Sequence, residues 1–403
     1  MSLAGCARAS RSSGILVNGV SRAVLCRAVG SHLGGSGMGM CSNAAGGAGG
    51  GGKGALLGFS QGPIGGKYVC PFTGRDKAER GGIMSKLQDR VVMELSGADV
   101  LDFLQGLVTN DLTKLEEGKS MYACFLNSKG RVISDVIVHR LDGGVYMLDL
   151  STDTVGKMKK YLSMTKLRKD VVVKDRSQEL SVFALMGASF RDEHAPGAVA
   201  AGSDPRWDGL GTRIIAPQEG FNDLLVGQVA NECATDTYTK WRMLHGVAQG
   251  DEMAGGIPLE FNLDKLNGVS FTKGCYTGQE LTARTHFQGL VRKRVLPLLL
   301  NFSEYRPCED APTESSIFAP FVNDLNEPLK PISCPSAISL ATGKEGRSPG
   351  KLLCVAPRSP FGLGMLRLTD DATSAWTQRG YFSGEGFECN VPLFPGWWLN
   401  QVE

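Results

Sequence analysis

The chain has 403 residues, of which 42% are hydrophobic and 21% are charged, and its formal net charge is +2. This length allows two or three domains that each bury a core, and the composition is that of ordinary globular proteins. The longest apolar runs have the length of strands, so the sequence argues against an integral membrane protein, whose spans need about eighteen apolar residues or more.

The first 66 residues differ from the rest of the chain. No Asp or Glu precedes Asp76, whereas seven basic residues do: Arg8, Arg11, Arg22, Arg27, Lys53, Lys67 and Arg75. An acid-free leader rich in Arg, Ser, Ala and Gly is typical of a mitochondrial transit peptide with a Gly-rich linker, and we expect this for residues 1–66. A disordered basic tail is the alternative. Without those seven residues, 36 basic side chains face 41 acidic ones, which gives no reason to expect a nucleic-acid partner.

Cysteine usage indicates a reducing compartment. Eight of the eleven cysteines lie beyond the leader, at positions 70, 124, 233, 275, 308, 334, 354 and 389. They form no CxxC pair and no Cys–His cluster with zinc spacing, so a metal site built from local ligands is not predicted. Most of these thiols are expected to be small core residues.

Hydrophobic periodicity predicts an α+β body. The predicted elements are, in order, strand 91–97, helix 98–111 behind a candidate Ser96 cap, strands 121–126, 131–141 and 145–151, helix 154–167, and strands 170–175 and 180–187. The three central strands are separated by tight turns, as in an antiparallel meander. This order is that of a split βαβ layer.

The last part of the chain changes character. A helix near 236–247 leads towards a stretch that is rich in strands and prolines from Val295 onward. This pattern predicts a small C-terminal β-barrel at 295–403, with a polar insertion at about 303–349. The predicted core therefore spans residues 80–294.

The strand RVISDVIV carries a candidate binding carboxylate. With a period of two residues, Ile133, Asp135, Ile137 and His139 share one face. If that face is covered, desolvation raises the pKa of Asp135 unless a donor ligand or a cation satisfies the carboxylate. A site for an amine-rich heterocycle such as a pterin needs such a buried acceptor. A solvent-facing acid on an edge strand is the alternative, and the sequence leaves both open.

The stretch FTKGCYTGQELTARTHFQG raises a separate question, because its cysteine lies in a glycine-flanked turn. Thr277 and Glu280 have capping-box spacing, so a helix is predicted to begin near Gly278. Gly274 and Gly278 permit the backbone turn before that helix.

Cys275 then lies near the positive end of the helix dipole and near Lys273. Both influences stabilise a thiolate, which is the form that attacks electrophiles and binds soft metals. A small residue packed under a turn is the alternative.

The octapeptide KGCYTGQE, from Lys273 to Glu280, resembles the motif of the YgfZ branch of the folate-binding YgfZ/GcvT family. Three further runs are similar to other motifs of this family: FLQGLVTNDL (103–112), FLNSKGRVISD (125–135) and GLGMLRL (362–368). The branch includes mitochondrial iron–sulfur cluster assembly factors, and the basic leader indicates the mitochondrial member.

The resemblance implies a fold like that of the glycine-cleavage T-protein, with split βαβ layers around a central opening that holds a folate and a small C-terminal β-barrel. It implies a functional segment made of Lys273, Gly274, Cys275, Tyr276, Gly278, Gln279 and Glu280, and folate-binding candidates Asp135, Glu260 and Arg292. Where the T-protein has an acidic pair, this chain has Ser134-Asp135. The missing acid argues against aminomethyl transfer, which needs a carboxylate near the folate amine.

Three functions of different classes follow. The first is an assembly factor of the mitochondrial matrix that delivers clusters to apo [4Fe–4S] proteins late in the pathway. In it, Cys275 shares an iron–sulfur cluster with an A-type assembly protein. The second is a folate-dependent one-carbon transferase using tetrahydrofolate, which Ser134 disfavours. The third is a thiol redox or repair enzyme, for which no base or resolving cysteine is visible near Cys275. Whether any reaction is catalysed stays open.

Overall fold

The computed structural model describes residues 83–186, 197–219, 231–233, 235–301, 334, 336–340, 349–357, 359–368, 382–384 and 387–390. All of them belong to one unit of the chain, residues 70–403. The predicted transit peptide and linker at 1–66 lie outside the described residues, as does most of the predicted insertion at 303–349. None of the described helices is long and apolar enough to span a membrane.

One five-stranded antiparallel sheet is built from a nearly continuous stretch of chain. Its strands are β2 (Arg90–Ser96), β3 (Ser120–Leu126), β4 (Val132–Arg140), β5 (Tyr146–Ser151) and β6 (Val172–Asp175), in the spatial order β3-β4-β5-β2-β6. The predicted meander is therefore confirmed as β3, β4 and β5. Helix α2 (Thr152–Lys166) follows β5 and buries Met158 and Leu162, as its periodicity predicts.

Helix α1 (Val100–Gln105) is shorter than the predicted helix 98–111. Its N-cap residue is Asp99 rather than Ser96, which is the last residue of β2. After Gln105 the chain leaves the helix, and Val108 pairs with Phe125 in an isolated antiparallel bridge. The apolar residues beyond Gln105 are therefore buried against β3 and do not continue a helical face.

A β-bulge in β4 breaks the predicted alternation. Phe125 pairs with Ser134, but Leu126 pairs with Val132, so Ile133 is an extra residue on β4. Val132 packs in the same apolar cluster as Ile137, whereas Ile133 packs against the cluster on the other side of the sheet. The prediction that Ile133 shares a face with Asp135 is therefore wrong.

A second five-stranded sheet combines one strand that precedes the first sheet in sequence with four strands that follow it. Its strands are β1 (Ile83–Leu87), β7 (Leu180–Met186), β8 (Ala200–Ser203), β9 (Thr212–Pro217) and β10 (Asn231–Cys233), in the order β10-β1-β7-β9-β8. Helix α3 (Thr235–Leu244) follows β10, and α4 (Gln279–Phe287) precedes the barrel. Short 3-10 helices occupy Leu112–Lys114, Asp142–Gly144, Asp208–Leu210, Gly250–Met253 and Pro258–Phe261.

The C-terminal strands close into a barrel, as the sequence predicts. The barrel order is β11-β14-β13-β12-β15-β16, with β11 (Lys293–Asn301), β12 (Ser336–Leu340), β13 (Gly350–Val355), β14 (Phe361–Arg367), β15 (Phe382–Gly384) and β16 (Phe387–Asn390). A single buried apolar cluster includes Tyr122 of the first sheet, Ile215 of the second and Met365 of the barrel. Hydrophobic burial therefore joins all three layers.

A buried charge network connects the two five-stranded sheets. Its six members are each at most 4% exposed: Arg90, Asp135, Asp149, Asp204, Arg206 and Arg213. Arg90 on β2 pairs with Asp149 at 2.6 Å and with Asp135 at 3.0 Å. Asp149 also pairs with Arg213 of the second sheet at 3.2 Å. Arg206 pairs with Asp204 at 2.6 Å.

The three cations and three anions of this network balance each other. Burial alone would raise the pKa values of Asp135 and Asp204, but the neighbouring guanidinium groups hold both below their ordinary value of 3.8. Because the folded-state values are depressed, the stabilisation by the ionised carboxylates is present above about pH 4 and is lost as the pH falls through the folded-state values.

Arg90→Met is expected to lower the free energy of unfolding by about 3–5 kcal/mol, because it leaves Asp135 and Asp149 buried without their shared cation. Urea denaturation near pH 7 measures the change. Lys159→Met is the control, since its ion pair with Asp175 is solvent-exposed and its loss should cost at most about 1 kcal/mol. Equal losses in the two variants would contradict a structural role for the network.

Candidate functional site

The segment that carries Cys275 is fastened to two other parts of the chain. We call residues 271–278 the thiol loop. It contacts the turn after α1, residues 105–110, and the turn between β3 and β4, residues 127–130. The three sequence motifs that precede β11 therefore meet at one place in the fold.

Lys273 makes the first anchor of the thiol loop. Its Nζ atom donates to the backbone carbonyl oxygens of Gln105, Val108 and Asn110, each at 2.7 Å. The ammonium also lies 4.9 Å from the ring centroid of Tyr276. Burial lowers the pKa of Lys273 to about 8. The charge of Lys273 is thus directed at backbone carbonyls, and its predicted effect on the thiol stays a prediction.

Thr277 makes the second anchor. Its backbone N–H donates to the carbonyl oxygen of Gly106 at 3.0 Å, and its hydroxyl lies 3.5 Å from the same oxygen. The predicted capping box of Thr277 and Glu280 does not form, because Gly278 is the N-cap residue and no side chain caps the helix. Gln279 instead accepts a hydrogen bond from the N–H of Tyr276 at 3.1 Å. The predicted start of α4 near Gly278 is confirmed.

Gly278 is required by both its conformation and its surroundings. Its φ angle is +79°, and a Cβ atom there would lie 2.4 Å from the carbonyl oxygen of Asn127. Gly130 closes the contact from the other side, since its own Cβ would lie 2.8 Å from the carbonyl oxygen of Gly278. Gly274 has a different character: its φ is not positive and a Cβ would meet open space. The turn therefore uses the conformational freedom of Gly278 and not that of Gly274.

Cys275 lies between the two anchors and is exposed. The alternative that it is packed under the turn is therefore wrong. Cys334 is exposed as well. Burial raises the pKa of Cys124 well above its ordinary value and that of Cys389 to about 12, so these two thiols stay protonated at neutral pH.

The remaining members of the predicted segment lie within the thiol loop or directly after it. Tyr276 is partly buried, and burial raises the pKa of its hydroxyl to about 12. Gln279 is partly buried and Glu280 is exposed. The structure thus brings Tyr276 into contact with both Lys273 and Gln279, next to the exposed Cys275 in the chain.

Asp135 is buried, but both oxygens of its carboxylate already accept hydrogen bonds from within the protein. One oxygen accepts from Arg90 at 3.0 Å and the other from the N–H of Gly250 at 2.9 Å. The cation that the sequence argument required is therefore Arg90, and the alternative of a solvent-facing edge-strand acid is wrong. This donor set does not fit a role for Asp135 as the free acceptor of a folate amine.

The other two folate-binding candidates lie on segments of the chain other than the thiol loop. Glu260 is in the 3-10 helix Pro258–Phe261 and is partly exposed, and Arg292 is exposed just before β11. Within the described part of the chain, no hydrogen bond or ion pair links Asp135, Glu260 or Arg292 to Cys275. No group of three or more His, Cys, Asp or Glu side chains among the described residues is arranged to hold a metal ion.

Sequence reasoning missed Arg294. This buried residue forms two bonds to Asp264, at 2.7 and 2.8 Å, and donates to the carbonyl oxygen of Leu259 at 3.1 Å. It therefore ties the start of the barrel to the helix that carries Glu260. Period-two alternation does not reveal this role, because Arg292, two residues earlier, is exposed.

Comparison with known proteins agrees with this architecture. Residues 84–193 match the family described as GCVT N-terminal domain. Over 327 residues the chain is 32% identical to the iron-sulfur cluster assembly factor IBA57 homolog, mitochondrial, of Neosartorya fischeri, with 70% of each chain covered. The chain belongs to the IBA57 family. Proteins named IBA57 from mouse and human are 36% and 35% identical over 238 and 235 residues, which cover 53% of this chain and 65% of each relative.

The fold of this IBA57-family chain is also shared with a solved enzyme structure. The glycine cleavage system aminomethyltransferase T from Bartonella henselae aligns with a TM-score of 0.55 at 14% identity, covering 79% of this chain and 86% of that chain. This likeness shows the fold alone. The predicted family resemblance and the predicted T-protein-like α+β fold are both confirmed.

Gly278→Ala is expected to destabilise the protein by about 2 kcal/mol or more, because alanine disfavours a positive φ and its Cβ would collide with Asn127. Gly274→Ala is the matched control, and we expect a change within about 0.5 kcal/mol or a slight stabilisation. Chemical denaturation of both variants measures the difference. Similar values for the two glycines would contradict the packing described for the loop.

Asp135→Asn tests whether this carboxylate serves the protein or a folate. We expect it to cost about 1–3 kcal/mol of stability through the weakened bond to Arg90. Any shift in melting temperature caused by tetrahydrofolate should be the same in the wild-type protein and in the variant. A folate-induced shift that is present in the wild type and absent in the variant would contradict this assignment.

Proposed function

We propose that this protein is a mitochondrial iron–sulfur cluster assembly factor that matures [4Fe–4S] proteins late in the pathway. Its relatives in the IBA57 family carry the name of mitochondrial iron–sulfur cluster assembly factor. The observation that carries the mechanistic part of the proposal is the exposed Cys275, held on a loop that is anchored on both sides.

The anchored loop suits a thiolate that receives a cluster as cargo. Lys273 and Thr277 hold the backbone on either side of Cys275, while the open space at Gly274 leaves the loop accessible. Thiolate sulfur is a soft ligand that suits iron–sulfur clusters. A cluster takes several such ligands, so Cys275 supplies one and a partner, which we take to be an A-type assembly protein, supplies the others.

The thiol loop is held in place by the rest of the protein, which favours transfer of a cluster to or from a partner. The helix α4 begins at Gln279, four residues after Cys275, so the thiol loop leads directly into the N-terminal end of that helix. Because the loop is fixed by backbone contacts, Cys275 does not have to be ordered when the partner binds, which lowers the entropic cost of association. The recipient of the cluster in this scheme is an apo [4Fe–4S] protein in the mitochondrial matrix, to which the leader would direct the chain.

The geometry favours this function over the folate-dependent one-carbon transferase. That chemistry needs a carboxylate free to act near the folate amine, and Asp135 is engaged by Arg90 and Gly250. No described contact provides a general base for Cys275, so a thiol redox enzyme gains no support either.

Cys275→Ser is expected to keep the fold and to lose cluster binding, because the hydroxyl replaces the soft ligand with a hard one. The protein is mixed with an A-type assembly protein and reconstituted cluster, and visible absorbance is followed through size-exclusion chromatography. The cluster that co-elutes with the variant should fall to about a tenth or less of the wild-type amount.

Cys334→Ser is the matched control, since Cys334 is also an exposed cysteine. We expect it to retain the full amount of cluster. In cells, the Cys275→Ser variant alone should fail to support aconitase activity. Full cluster retention and full aconitase activity in that variant would overturn the assignment of Cys275.

A further inference from the structure

The C-terminal end of α4 carries an aromatic cluster on the protein surface. Phe271 and His286 are stacked, with ring centroids 3.5 Å apart and an interplanar angle of 9°. Phe287 meets both rings edge-on, at centroid distances of 6.2 Å from Phe271 and 4.7 Å from His286. The three rings therefore form one ordered platform.

Much of this platform and its surroundings faces solvent. Phe287 is 68% exposed and Leu290 is 82% exposed, and every residue from His286 to Leu290 is exposed. Large apolar side chains grouped in this way mark an interaction surface more often than isolated ones do. We call Phe271, His286, Phe287 and Leu290 the α4 patch.

The α4 patch and Cys275 are two ends of one surface. Phe271 stacks on His286 near the end of α4, whereas Gly278 lies at the start of the same helix. The thiol loop therefore runs back along the helix from Phe271 to its N-terminus. Nine helical residues span about 13 Å, so a protein that binds at Cys275 can also contact the patch within an interface of ordinary size.

Exposed basic side chains lie on and just after α4, whose first turn also carries the exposed acid Glu280. Residues 281–294 contain Arg284, Arg292, Lys293 and Arg294 and no acidic residue, and Arg284 and Arg292 are exposed. A cluster with its thiolate ligands carries net negative charge, and a partner with acidic side chains around an apolar pocket complements the same rim.

We propose that the α4 patch is the docking surface for the protein that shares the cluster with Cys275, and that this partner presents an apolar pocket with an acidic rim. The inference rests on the proposed cluster function. In this arrangement Phe287 and Leu290 enter the apolar pocket and supply binding energy, while Cys275 at the other end of α4 supplies a ligand.

The test compares two double variants that remove equally exposed apolar side chains. Phe287→Ser/Leu290→Ser disrupts the α4 patch, and Met164→Ser/Leu167→Ser, at 67% and 84% exposure, is the matched control near the end of α2. The Kd for a purified A-type assembly protein carrying its cluster is measured by titration calorimetry, and thermal melting checks that each variant is folded.

We expect the patch variant to raise this Kd by about tenfold or more and the control to leave it within about twofold. At saturating partner, the visible spectrum of the cluster should be that of the wild type, because Cys275 is unchanged. An unchanged Kd in the patch variant, an equal loss in the control, or no binding by the wild type would overturn the docking proposal.

Cys275→Ser separates the two proposals. If it retains the cluster while the patch variant still weakens binding, the docking surface stands and the assignment of Cys275 as a cluster ligand fails. If it loses the cluster while the patch variant binds normally, the cluster function stands and this surface is not the docking site.

Discussion

The pairing of Asp149 with Arg90 and Arg213 constrains the arrangement of the whole core. Arg90 belongs to the first sheet and Arg213 to the second, so one carboxylate connects both layers. Apolar burial stabilises the layers without direction, whereas a buried ion pair is favourable only when its geometry is satisfied. Because all six members of the network are buried, breaking the pair of Asp149 with Arg213 leaves an excess negative charge on the side of the first sheet and an excess positive charge on the side of the second.

The same buried network distinguishes the chemistry available to this chain from the chemistry that its fold suggests. The fold is shared with an aminomethyltransferase, but a fold does not by itself specify chemistry. Here the buried carboxylate of Asp135 is used to balance Arg90 and to hold the N–H of Gly250. The group left free to react lies elsewhere, on the thiol loop, where an exposed cysteine is supported by a rigid backbone.

Local sequence patterns predicted the elements better than their contacts. The meander, α2 and the barrel strands follow from periodicity, and the resemblance predicted the segment around Cys275. The bulge at Ile133, the early end of α1 and the missing capping box were not predictable, since each depends on a distant partner. Arg90 is 45 residues from Asp135 in sequence, and Lys273 is 168 residues from Gln105.

The anchors of the thiol loop explain why several short motifs of this chain belong together. The turn after α1 contributes only backbone carbonyls to Lys273, and any sequence that turns in the same way would offer them. The specificity of the contact between the thiol loop and these turns therefore comes from Lys273, whose three N–H donors match three carbonyl oxygens. It also comes from the glycine pair Gly130 and Gly278, which lets two turns approach closely. Cys275 is exposed, while the backbone on either side of it is fixed by these contacts.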